Sequence, residues 1–339
     1  VTIATLLTPY RPGAIAIIQL VGEVEGILAA LSGVPSWPDG SSRLIRIPDL
    51  DEFLATRIDR TRAQLTPHGG PRIVEVLCGR LVELGATVVS PDACDPLEIY
   101  PEAEDRFEAL ALATIARCAS ARGIDLLLDQ PRRWRSMRTA DGSPLPITSE
   151  ELERSRRLGR LIVPPGVVLV GEANIGKSSL TNALFSREVA ITADCPGTTR
   201  DYVTGEVELD GLLVLWHDTP GQHRPDSPSN VADAAGPEAL LGAAAQETAR
   251  RAIDRADWVI AASDAGSAWP SLERRPDLRI GLRSDLGRRP DADCSVCART
   301  GEGLRELASA IRRGLLFDED LAFTGRWLFD GRLQSPIEE

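Results

Sequence analysis

The chain has 339 residues, 43% of them hydrophobic, and carries a formal charge of −12. That is enough apolar material for two or three domains with real cores, while the acidic balance excludes a broad nucleic-acid groove and leaves room only for a local basic patch. No apolar stretch approaches the roughly 20 residues that span a bilayer, and no basic run precedes an apolar one at the start of the sequence, so the expectation is a soluble, cytoplasmic protein with no membrane contact.

Residues 1–95 read as a small α+β domain. Ala14 to Leu20 is strand-like, and Arg72 to Leu84 has helical periodicity between the turn Pro67-His68-Gly69-Gly70-Pro71 and Gly85, which suits the C′ position before Ala86 to Val89. His68 reads as a turn residue in preference to a catalyst. Residues 96–161 read as a reduced helical segment and linker, with Glu102 to Arg122 periodic, an interruption at Gly123 and a Pro/Gly/Ser break from Asp141 to Pro146. Arg132, Arg133, Arg135, Arg138, Arg154, Arg156, Arg157 and Arg160 make this stretch basic. In so arginine-biased a chain, a solvated helical face is preferred over an RNA patch. From 162 to 316 strands and helices alternate as in a doubly wound α/β domain, and 317–339 is a short tail.

Gly171-Glu-Ala-Asn174-Ile175-Gly176-Lys177-Ser178 is a complete match to the GxxxxGK[ST] phosphate-binding loop. Lys177 is the only lysine among 38 basic residues, and a randomly placed one falls there about one time in 38. The glycines let backbone N–H groups close round a phosphate, while a compact ammonium reaches the β- and γ-oxygens where a forked guanidinium does not fit. Val167 to Val170 reads as a buried parallel strand feeding the loop, and Ser179 to Phe185 as the helix whose N-terminus faces the phosphates. The bland alternative is a tight strand-to-helix turn. On the functional reading Gly171, Asn174, Ile175, Gly176, Lys177, Ser178 and Ser179 cradle phosphate, with Ser178 also on Mg²⁺.

Downstream, Cys195-Pro-Gly-Thr-Thr-Arg-Asp201 places the hydroxyls of Thr198 and Thr199 about 20 residues after Lys177, where a segment must fold over the γ-phosphate and Mg²⁺. Asp210-Gly211 is a hairpin signal between Tyr202–Leu209 and Leu212–Trp216. The second strand delivers Asp218-Thr-Pro-Gly221, in which Asp218 supports the metal through water and the Gly221 N–H bonds a γ-phosphate oxygen. A base-reading Asn-Lys-x-Asp segment is expected after the fifth strand, and Leu282-Arg283-Ser284-Asp285 stands there. Asp285 can accept from guanine N1–H and N2–H₂, and Arg283 can stack its stem on the base, but Leu282 cannot make asparagine's polar contact. Cys297-Ala298-Arg299 resembles the Ser-Ala-Lys loop that backs the base, with cysteine for serine. The six cysteines lack the spacing of a secreted disulfide framework and read as reduced thiols; Cys294-x-x-Cys297 has no second pair to complete a zinc site.

These five segments resemble a translation-factor-like GTPase, an α/β P-loop NTPase G domain. Their flanks are similar to the tRNA-modification GTPase family known as MnmE or TrmE: Asn174, Gly197-Thr-Thr-Arg-Asp201 and Ala298-Arg-Thr-Gly-Glu-Gly303 in the G domain, and Thr2 to Pro9, Ala14 to Gly22 and His68-Gly-Gly-Pro71 in an N-terminal α+β domain resembling the family's folate-binding domain. The resemblance implies GTP hydrolysis with GTP and Mg²⁺, serving modification of the tRNA wobble uridine together with a flavin-binding partner protein and a one-carbon folate. It also implies a homodimer. The roles it carries over are Lys177, Thr198 or Thr199, Asp218 and Gly221 in catalysis, Arg283, Asp285, Cys297, Ala298 and Arg299 round the base, and Asn174 on K⁺; as chemistry alone, Asn174 is equally an ordinary turn residue. The chain departs from the family in three places. The C-terminal Cys-x-Gly-Lys motif has no counterpart after Cys297. The catalytic glutamate position falls near Gly242, so Glu238 or Glu247 has to substitute. The segment before His68 lacks the family's Gly-Glu-Asp pattern, so folate contacts do not carry over. The rival readings are a GTP-dependent regulatory or ribosome-assembly switch without the modification chemistry, and a degenerate paralogue, against which the retained lysine argues.

Overall fold

The structure, a computed structural model, describes residues 1–10, 12–137, 145–187, 203–219 and 250–334. They fall into two compact units, one of Val1–Cys118, Gly123–Leu152 and Thr324–Glu339, the other of Ala119–Arg122 and Glu153–Phe323.

The first unit is built on strands β1 (Thr2–Leu6), β2 (Ile18–Val21), β3 (Ser42–Ile47), β4 (Asp51–Arg57), β5 (Arg62–Thr66) and β6 (Ala86–Val89), with helices α1 (Val24–Ser32) and α2 (Pro71–Glu83). The sheet order is β3-β4-β5-β2-β1-β6, antiparallel except for β1 with β6. Alternation along β4 and β5 turns Phe53, Ala55, Ala63 and Leu65 inward, where they join Ile18, Leu20, Trp37 and the helix residues Leu28, Leu77 and Leu81. Helix α2 starts at Gly70 with Pro71 in its first turn and is followed by Gly85 at φ +92°, as the sequence pattern predicts. The strand expected from Ala14 is shorter. It begins at Ile18, because Ile15 forms an isolated bridge to His68 and the backbones of Gly13 and Gly69 lie so close that a Cβ on Gly69 would sit 2.5 Å from Gly13 O.

Helices α3 (Pro96–Ile99), α4 (Arg106–Ile115), α5 (Ala121–Leu128) and α6 (Gln130–Ser136) follow. The single helix expected over Glu102 to Arg122 is two. The Asp105 carboxylate accepts from Glu108 N at 3.0 Å and sets the start of α4, the chain leaves it after Ile115, and Gly123 lies buried inside α5 instead of ending a helix. The basic stretch is largely neutralised within the fold. Arg132 and Arg133 pair with Asp129, and Arg135 pairs with Glu104, Asp105 and Glu108. Arg138 and most of the Asp141–Pro146 break lie outside the described residues.

Residues 324–334 are part of this first unit: Trp327 is 1% exposed, Trp134 Nε1 donates to Trp327 O at 3.1 Å, and the Trp327 N–H donates to Gln130 Oε1 at 2.7 Å. The buried Arg326 guanidinium donates to both Glu151 oxygens at 3.1 Å and to the carbonyls of Leu145 and Pro146. Burial pushes the Glu151 carboxyl up, but hydrogen bonds from Arg326 and Thr148 outweigh it and hold the group below its ordinary 4.5. A depressed carboxylate contributes stability above its unfolded value and loses it as pH falls through the folded one. Thermal unfolding is therefore expected to ease as pH drops below 4.5. Arg326→Ala, which strands a buried carboxylate, is expected to cost about 3–5 kcal/mol in denaturant titrations at neutral pH.

The second unit contains helix α7 (Ser149–Leu158, from Glu153 on), β7 (Gly166–Gly171), α8 (Lys177–Arg187), β8 (Val203–Leu209), β9 (Leu212–Asp218), α9 (described over 250–255), β10 (Trp258–Ser263), β11 (Leu278–Leu282), β12 (Cys294–Val296), α10 (Leu304–Leu315) and α11 (Asp318–Ala322). Its sheet runs β12-β11-β10-β7-β9-β8, parallel except for the β8–β9 hairpin. Asp210 at φ +52° and Gly211 at φ +82° make the turn, in the doubly left-handed form that matches strand twist. The apolar run of β7 is buried in the middle of the sheet between β9 and β10, so chain order reverses on either side of it. Such a reversal opens a crevice at the carboxyl ends of the strands.

Candidate phosphate- and base-binding site

Four segments leave parallel strands at that edge: Glu172–Gly176 after β7, Thr219 after β9, Arg283–Asp285 after β11 and Cys297–Arg299 after β12. The first begins where only glycine fits, since a Cβ on Gly171 would lie 2.5 Å from Ala262 O and 2.7 Å from Ile175 Cδ1. Left-handed backbone at Asn174 (φ +63°) and Gly176 (φ +107°) then curls the loop into the start of α8. Lys177 is the first residue of that helix, and the unpaired N–H groups of its first turn, with the positive end of its dipole, suit an anion.

The Lys177 side chain is 6% exposed and folds back along the loop, Nζ donating to Gly171 O at 3.0 Å and Glu172 O at 2.7 Å. Burial pushes its ammonium pKa down, and the nearby Asp218 carboxylate opposes that shift. Asp218 ends β9 opposite Leu169 of β7 and is 5% exposed. Burial raises its pKa against hydrogen bonds from Ser178 and Thr181 and the charge of Lys177. Its Oδ1 is buried with no hydrogen-bond partner. A hydroxyl and an unsatisfied carboxylate oxygen beside a phosphate cradle are the donor set of a hard divalent cation, so these residues fit Mg²⁺. Among the described residues no group of three His, Cys, Asp or Glu is placed to hold a metal ion. Thr198, Thr199, Gly221, Glu238, Gly242 and Glu247 lie outside the described residues.

On the base side, Leu282 is 3% exposed at the end of β11. Arg283 follows with φ +52°, and its guanidinium reaches both the Asn174 carbonyl and Asp264, the latter at 3.3 Å. The base loop is thereby tied to the phosphate loop. Asp285 has both oxygens engaged: the Cys297 thiol donates to Oδ1 at 3.1 Å and Arg299 Nη2 to Oδ2 at 2.8 Å. Together they hold its carboxyl below the usual range. Cys297 is buried and so contributes a donor to Asp285. Two participants escape sequence reasoning, Asp264 and Thr181. Asp264 had a usable signal, since it directly follows the apolar run Trp258–Ser263 at the same sheet edge.

The family model described as "50S ribosome-binding GTPase" matches residues 166–279. The tRNA modification GTPase MnmE of Methylobacterium radiotolerans is 29% identical over 369 aligned positions, covering 91% of this chain and 81% of the relative. MnmE of Acidiphilium cryptum is 40% identical over 149 positions, covering 43% and 32%. Along most of its length the chain is similar to tRNA modification GTPases. Residues 166–279 carry the GTPase match, and the protein is a GTPase that binds GTP and hydrolyses it to GDP and phosphate. The alignment to the Methylobacterium MnmE is longer than the 339-residue chain, so that relative has residues without counterparts inside this one. A solved structure of Era from Aquifex aeolicus aligns with a TM-score of 0.34 and 24% identity, over 49% of this chain and 59% of that one. No helix among the described residues is long and apolar enough to cross a membrane.

Proposed function

We propose that Lys177 holds the β- and γ-phosphates, that Ser178 and one of Thr198 or Thr199 ligate Mg²⁺ with Asp218 in support, and that the Gly221 N–H registers the γ-phosphate. Asp285 reads guanine, with Ala298 and Ser179 contributing backbone N–H groups. The observation that carries this reading is the buried Lys177 ammonium, held by two loop carbonyls near the Asp218 carboxylate, whose Oδ1 has no hydrogen-bond partner. Bound GTP would draw the ammonium off those carbonyls, and Mg²⁺ held by Ser178 with Asp218 in support would supply positive charge against the phosphates. Asn174 is the K⁺ ligand on this reading. Turnover is then slow and falls several-fold when Na⁺ replaces K⁺ at equal ionic strength; equal rates in the two salts would remove the cation from the mechanism.

The hydrolysis cycle serves modification of the tRNA wobble uridine in the cytoplasm, in a homodimer working with a flavin-binding partner and a one-carbon folate. Support comes from the relatives' names and from similarity along most of the chain. Deleting the gene and examining tRNA by mass spectrometry tests it, with loss of the wobble-uridine modification expected. Unchanged tRNA would favour the second reading, a regulatory or ribosome-assembly switch. That reading is supported by the relative's residues that have no counterpart here and by the ribosome-binding description of the matching family.

A further inference from the structure

Guanine presents O6 and N7 as acceptors beside the donors N1–H and N2–H₂, and a site that reads all of these needs a donor next to its carboxylate. At the position where asparagine is expected, Leu282 is apolar and buried, and offers no such donor. The Arg299 guanidinium does lie beside the carboxylate: Nη2 is 2.8 Å from Asp285 Oδ2, the side chain is 79% exposed, and among the described residues Asp285 is its hydrogen-bonding partner. The fork has five N–H donors, so one bond to Asp285 leaves others for a ligand, and each Asp285 oxygen keeps a lone pair beyond the one used by Cys297 or Arg299. The pair thus presents donor beside acceptor, complementary to guanine.

We infer that Arg299 is a specificity-determining residue that donates to guanine O6 in place of the missing asparagine, while Asp285 accepts from N1–H and N2–H₂. This rests on the reading of Asp285 as the guanine contact. Adenine, with an amino group in place of O6, turns a donor toward the guanidinium and is rejected by Arg299 as well as by Asp285.

The test is calorimetric titration of the whole chain and its variants, in Mg²⁺, with three triphosphates: GTP, inosine triphosphate, which keeps O6 and N1–H and lacks the 2-amino group, and 2-aminopurine riboside triphosphate, which keeps the 2-amino group, lacks O6 and the N1 proton, and so serves as a weaker-binding reference. Arg299→Ala is expected to weaken GTP and inosine triphosphate about tenfold each and to leave the 2-aminopurine nucleotide unchanged, as befits one charge-assisted bond to O6. Arg299→Lys, which keeps a donor without the fork, should recover part of that loss. An equal loss for all three nucleotides would mean that Arg299 only supports Asp285, and no loss would mean that it is a bystander; either overturns the inference. Asp285→Asn separates this from the underlying reading. If it leaves GTP affinity unchanged, the base-reading loop itself is misassigned, whereas a loss there with Arg299→Ala silent removes the role of Arg299 alone.

Discussion

Lys177→Ala is expected to lose at least about 2 kcal/mol of GTP binding, roughly thirtyfold in Kd, because phosphate charge is then met by backbone dipoles alone. Stability without nucleotide should respond quite differently. The ammonium is buried and its pKa is pushed down by that burial, so the free protein already carries a desolvation cost that the two carbonyls and Asp218 offset in part. Removing it should leave the melting temperature of the free chain nearly unchanged. GTP raises the melting temperature of any protein whose native state it binds, and the variant should lose most of that rise. Calorimetry that finds full affinity in Lys177→Ala would defeat the phosphate-cradle assignment.

Gly171→Ala should be the more damaging change to the fold. In the parallel register Gly171 lies opposite Ala262, and the added methyl would sit 2.5 Å from that residue's carbonyl oxygen, so β7 and β10 must part at the floor of the site. Overpacking of this kind costs about 1–3 kcal/mol, and GTP affinity should fall with it because the loop starts at the displaced residue. Gly176→Ala is the informative contrast. Its nearest neighbour would be Arg283 Nε at 3.5 Å, so there the penalty comes from the left-handed φ of +107° and not from collision. Denaturant titration followed by tryptophan fluorescence measures both, and wild-type stability in Gly171→Ala would show that β7 and β10 are not in this register.

The features legible in the chain are those set by a few contiguous residues. A strand, a loop with its glycines spaced for φ > 0 and a helix announce the phosphate cradle; Asp210-Gly211 announces its hairpin; and Gly70-Pro71 and Gly85 bracket α2, as found. Misreadings arise where a contact from elsewhere competes with a local pattern. Periodicity runs through Glu102 to Arg122, yet the Asp105 cap and the exit after Ile115 divide it, and the apolar run from Ala14 loses its first residues to the bridge with His68. The base side depends most on tertiary structure. Nothing near Arg283 in sequence reveals that it joins Asp264 to the Asn174 carbonyl, and nothing near Asp285 reveals that Cys297 and Arg299 take one oxygen each. By itself the sequence determined the strand, loop and helix of the candidate phosphate site, because the residues that form it are contiguous. The donor and acceptor pattern offered to the base was decided only by the parallel pairing of β7, β10, β11 and β12, which brings the ends of strands far apart in the chain to one edge of the sheet.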